Sequence, residues 1–163
     1  MTTIELGADI LQRDLQTVLM HLSDFSDADM FVRPCAGANH AAWQMGHLIV
    51  AESNIVNGCW PDAVPTVPAE FAAKFGKGTS TIDTPSAFVS KDQIIQAFST
   101  ARGNTIAWVK TLHQEDLNKT ISGSMAKWVP TIGHLVFALP NHATMHVGQF
   151  QVIRRKLGKP VLF

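Results

Sequence analysis

Residues 135–153 read Leu135-Val-Phe-Ala-Leu139-Pro140-Asn-His142-Ala-Thr-Met-His146-Val-Gly148-Gln149-Phe-Gln-Val-Ile153. Leu135, Leu139, His142, His146, Gln149 and Ile153 recur at steps of four and three, the period of one face of an α-helix. Aliphatic residues begin and end that line, so it faces a core. The polar side chains within it must be hydrogen-bonded, ligated or open to a cavity, because an unpaired buried polar group costs about 1–3 kcal/mol. His142 and His146, four apart, are close neighbours on the helix surface. The helical pattern spans about Thr131 to Leu157, and Gly158-Lys-Pro160 ends it. Pro140 lacks an N–H, which predicts either a kink or a new helix starting there.

Three further segments carry the same period. The first runs from about Leu6 to Phe25, with Leu11, Leu15, Val18, Leu22 and Phe25 on one stripe. The second runs from about Asn39 to Asn57, with Asn39 as expected N-cap and Gly58 as expected stop. The third starts at Ser90, which has capping-box spacing to Gln93, and its stripe is Ile94, Phe98, Ala101, Thr105, Trp108 and Leu112. Between the second and third lies a connection from Cys59 to Val89, with Pro61, Pro65, Pro68, Pro85 and an expected short helix over Ala69–Phe75. At roughly thirty residues it exceeds the usual helix-pair connection of about two to eight. It is long enough to let helices two and three run parallel, or to wall a site. Strand signals are weak. The reading is an all-α four-helix bundle, one domain over residues 1–163.

Composition narrows the function. A chain of 163 residues supports one domain with a sizeable core. Hydrophobic residues at 46% and charged residues at 16% suit a globular protein. Lys+Arg and Asp+Glu both number 13, so no excess charge calls for a nucleic acid or an anionic membrane as partner. Arg154-Arg155-Lys156 reads as cations complementing a solvated helix C-terminus. Cys35 and Cys59 have neither zinc-knuckle spacing nor the density of a disulfide scaffold, which fits a reduced cytoplasmic compartment. The N-terminus lacks a signal-peptide pattern, and no stretch of about 18 apolar residues predicts a membrane span.

Helix two reads His40-Ala-Ala-Trp43-Gln-Met-Gly46-His47-Leu48. His47 shares a stripe with Trp43, Val50 and Asn54 and is the candidate third partner of His142 and His146. Gly46 beside it fits a close approach to the backbone, or simply eases helix packing. His40 stands about 10.5 Å along the helix from His47, too far to share one ion. His134 is likewise too far from His142. His113 reads as a surface or cap residue, while His21 borders the first stripe and stays a candidate. Three neutral imidazoles suit Zn²⁺, with Ni²⁺, Mn²⁺ or Fe²⁺ as alternatives. Three protein ligands leave a position for water or substrate, the mark of a catalytic site; histidines satisfied by hydrogen bonds in the core are the alternative.

Trp43-Gln-Met-Gly-His47-Leu, the long connection, His142-x₃-His146-Val-Gly148-Gln149 and Ile153-Arg-Arg together resemble the DinB/YfiT-like superfamily. The resemblance covers essentially the whole chain. It implies an up-down-down-up four-helix bundle, a divalent metal held by His47, His142 and His146, and frequent homodimers. Relatives divide between metal-dependent hydrolases and enzymes using a low-molecular-weight thiol such as bacillithiol or mycothiol, as S-transferases or isomerases. The expected function is therefore a metal-dependent enzyme acting on a small molecule through metal-activated water or a thiol. Trp43, Gln149 and His21 are candidates to line its pocket, and Glu52 and His21 to act as base. A non-catalytic metal-binding protein and a metal-free helical interaction module are the alternatives. Imidazole ligands of ordinary pKa would lose metal below about pH 6.

Overall fold

Each long helix starts at a side chain that caps it. In the computed structural model, which describes residues 1–162, α1 spans Thr3–Leu22, α2 Ala41–Cys59, the short α3 Ala69–Ala72, α4 Lys91–Thr111 and α5 Ile132–Lys156. Thr2 and Glu5 form a capping box on α1, and Ser90 and Gln93 form the expected one on α4. Thr131 caps α5. The cap of α2 is His40 rather than Asn39: its Nδ1 accepts the Trp43 N–H at 3.1 Å. Gly58 does not stop α2, which continues through it to Cys59. Pro140 neither breaks α5 nor starts a new helix; it is buried inside a continuous 25-residue helix. Among the described residues no strand forms, only an isolated bridge between Thr120 and Thr131. No described helix is long and apolar enough to cross a membrane.

The long helices pack on one another, α1 along α4 and α5, and α2 along α4 and, less extensively, α5. Apolar burial drives this packing, and it forms two clusters rather than one. One gathers Val18, Leu22, Met45, Leu48, Phe98, Phe150 and Ile153; the other gathers Leu11, Val56, Val109, Leu135 and Leu139. A polar layer lies between them in sequence on every long helix: Asp14 on α1, Glu52 on α2, Arg102 on α4 and His142 on α5. Arg102 is fully buried, 2.9 Å from Asp14 and 2.8 Å from Glu52. Isolated charges could not stay there; one cation between two carboxylates can.

The connection lies along α2. Ser53 donates to the Pro65 carbonyl, the Asn57 amide exchanges two bonds with Val64, and His40 Nε2–H donates to Ile82 O at 3.0 Å. Its expected helix is α3 followed by a 3₁₀ turn at Ala73–Phe75. The end of α5 is less solvated than its composition predicts. Arg155 and Lys156 are exposed, but Arg154 is 1% exposed. Arg154 clamps both Asp24 oxygens and donates to the carbonyls of His21 and Pro160. Gly158 then turns the chain at φ +68°, a conformation that suits glycine.

Candidate metal centre

His47 reaches the α2–α5 seam from mid-α2, and His142 and His146 reach it from successive turns of α5. One ligand nitrogen from each lies within 4.8 Å of the others. The ring centroids stand 5.1 to 5.5 Å apart. Nitrogens bound to one tetrahedral ion at about 2.0–2.1 Å lie roughly 3.4 Å apart, so small side-chain adjustments close the set.

The sequence around each histidine explains its pose. Trp43, one turn before His47, stacks on its imidazole at 5.1 Å and 7°. The indole is itself fixed, its Nε1–H donating to Thr79 Oγ1 of the connection at 3.0 Å. Gly46 is where the ring of Phe75 approaches the helix: a Cβ there would stand 2.1 Å from that ring. The close-approach reading of Gly46 is therefore the one the structure bears out.

His146 lies deepest of the three. Its Nδ1 meets Gln44 Oε1 at 2.8 Å, while Gln44 Nε2–H donates to the Asn39 carbonyl at 2.6 Å. The Asn39 carbonyl only accepts, so it turns the Gln44 amide nitrogen toward itself and leaves Oε1 for His146. His146 must then carry its proton on Nδ1, which frees the Nε2 lone pair. Burial, then repulsion from His142 and His47, pushes its pKa down to about 4. Burial also lowers His47, and burial with repulsion from His47 and Arg102 lowers His142. All three imidazoles are therefore neutral at neutral pH, the form that binds metal.

Other expected site residues are placed elsewhere. Gln149 is exposed rather than on the inner line. With Cys35, Asn39, Met145 and Val152 it lines a hollow of about 450 Å³ next along α5 from His146. His21 is buried on α1, its Nδ1 at 2.7 Å from the Thr17 carbonyl, and is not part of the histidine cluster. Glu52 is engaged with Arg102, not gathered with the histidines. His40 serves as cap and loop anchor, and His113 is exposed at the end of α4. Two residues escaped sequence reading. Gln44 has no periodic signal beyond its place one turn before Leu48. Arg102 had one, since it follows Ile94 and Phe98 at steps of four.

Residues 10–150 match the DinB superfamily. The chain belongs to the DinB superfamily. Similarity in structure extends further: a conserved protein from Enterococcus faecalis, known from its crystal structure, aligns with a TM-score of 0.66. The alignment covers 98% of this chain and 99% of that one at 16% identity, so the likeness is one of fold. No protein of curated function matches in sequence. In this DinB-superfamily chain the histidine cluster is a group of ligand atoms that can hold a metal ion.

Proposed function

We propose that the protein is a divalent-metal-dependent enzyme acting on a small molecule. His47, His142 and His146 are the ligands, zinc is the first metal to test, and nickel, manganese and iron follow. The observation that carries this reading is the convergence of three neutral imidazoles, one of them held in a single tautomer by Gln44. An ion with three protein ligands keeps an open position, where it acidifies a water or stabilises a thiolate. The chain's own residues prepare that position. Gln44 aims His146, and Trp43 shields one face of His47. Water and a low-molecular-weight thiol are the two nucleophiles in question, giving hydrolysis or S-transfer.

We read the long helices as an up-down-down-up bundle forming one domain. Contacts between paired residues support that course. Asp14 with Thr144 and His21 with Arg154 run in step along α1 and α5. Asp14 with Arg102 and Ser23 with Lys91 run in opposite senses along α1 and α4, as do Gln44 with His146 and His47 with His142 along α2 and α5. Cys35 and Cys59 are unpaired, in keeping with a reducing compartment.

Elemental analysis and zinc titration of protein purified without added metal or an affinity tag test the reading. One ion per chain, lost in His146→Ala together with hydrolase or thiol-transferase turnover in a substrate screen, is the expected result. Substoichiometric metal with no affinity in titration would overturn it. Turnover that survives loss of the metal would reduce the ion to a structural role.

A further inference from the structure

A cavity of about 610 Å³ lies between α2, α4 and the connection, within the range of small-molecule sites. None of the three clustered histidines lines it. Ile49 and Ser53 of its wall lie more than about 100° around α2 from His47, at roughly 100° per residue. Its lining is mostly apolar, with Val67 and Phe71 of the connection facing Ala97 and Ala101 of α4. Glu70 and Lys74 also line it, one acid balanced by one base.

Glu52 is the buried carboxylate of that lining. Its residue is 4% exposed, its Oε2 is 2.8 Å from Arg102, and its Oε1 has no hydrogen-bond partner. Arg102 is shared with Asp14, so one buried cation serves two carboxylates. The surplus is one negative charge, and an uncompensated buried charge is costly. Asp14 registers that cost: desolvation chiefly, with Glu52 adding, pushes its pKa up to about 6 against the pull of Arg102. A second cation at Glu52 would complete the layer.

We propose that this cavity is a binding site, separate from the histidine cluster, for a small molecule with an apolar body and a cationic amine that pairs with Glu52. The apolar walls take the body, and the ammonium supplies the donor that Oε1 lacks. This inference does not depend on a metal at the histidines.

The probes are protonated 2-phenylethylamine and its neutral analogue 2-phenylethanol, titrated into the full chain by calorimetry, with amide NMR shifts mapping the site. The amine is expected to bind at least about tenfold more tightly than the alcohol, a charge-assisted preference. Shifts are expected at Ile49, Ala101 and Thr105. Glu52→Gln removes the preference. Should that variant fail to fold, Ala97→Phe carries the test, because it fills the cavity from a partly exposed wall position and abolishes binding. His146→Ala leaves amine binding intact. Equal affinity for the two probes, no amine binding at millimolar concentration, or shifts centred on His47 and His146 would each overturn the proposal.

Discussion

His146 is presented with one of its two nitrogens already committed. The chain from the Asn39 carbonyl through Gln44 to Nδ1 fixes the tautomer before any ion arrives. Replacing Gln44 by Leu leaves a buried N–H without an acceptor and lets the ring rotate. The expected result is a loss of roughly 10- to 100-fold in zinc affinity, the usual effect of removing such a partner. A chelator-competition assay checks it, and an unchanged affinity would contradict it. The depressed imidazole pKa values also move the acid limit of binding. Ordinary imidazoles predict loss of metal below about pH 6, but these three stay neutral further down, His146 to about 4. Zinc affinity should therefore begin to fall at a lower pH than ordinary imidazoles allow. A tenfold loss already at pH 6 would count against the burial that lowers them.

α2 is the element that organises the site, and its two unusual residues act on its surroundings. His40 is a poor helix former in general, but as N-cap its Nδ1 accepts from Trp43 while Nε2–H holds the connection at Ile82. Burial is the main cause that lowers its pKa. Gly46 admits Phe75, which is buried. Gly46→Ala should gain about 1 kcal/mol of helix propensity and lose more by overpacking against a ring that has no room to retreat, for a net loss of about 1–2 kcal/mol. Urea unfolding measures this; a stabilised variant would show that the connection is free to lift. The Ser90–Gln93 capping box, the apolar stripes and the Ala69–Phe75 turn of helix were legible because each depends on residues within four positions of one another. Pro140 was ambiguous for the same reason: local chemistry says the helix is disturbed, yet α5 runs on through a buried Pro140.

Across the whole molecule, buried titratable groups such as Asp14 and His146 contribute to the pH dependence of stability. Asp14 has a folded pKa of about 6, above its ordinary 3.8. A raised carboxyl pKa means that its contribution is fully present below pH 3.8 and is lost as pH rises through about 6. His146 behaves oppositely in the metal-free protein, contributing above pH 6.5 and losing that contribution as pH falls toward 4. The two effects share a window and offset each other, so Asp14 has to be isolated by substitution. Asp14→Asn should stabilise the metal-free protein by roughly 2 kcal/mol at pH 8, from a shift of about two pKa units, and by nearly nothing at pH 4. Denaturant unfolding at both values checks this. A gain of equal size at pH 4 would remove titration of Asp14 as its cause.

The sequence by itself determined the all-helical class, the long helices with the Ser90 cap of α4 and the Gly158 end of α5, and the candidate set His47, His142 and His146. Those features follow from residues near one another in the chain, or from histidines recurring where aliphatic residues belong. Only the tertiary structure decided that Gln44 orients His146, that Phe75 occupies the space Gly46 leaves, that Arg154 turns inward to Asp24, and that Arg102 binds Asp14 and Glu52. Each of those pairings joins residues 29 to 130 positions apart. A periodic pattern states which side of a helix is buried. It does not state which partner a buried polar group will meet there, because that depends on the register between helices.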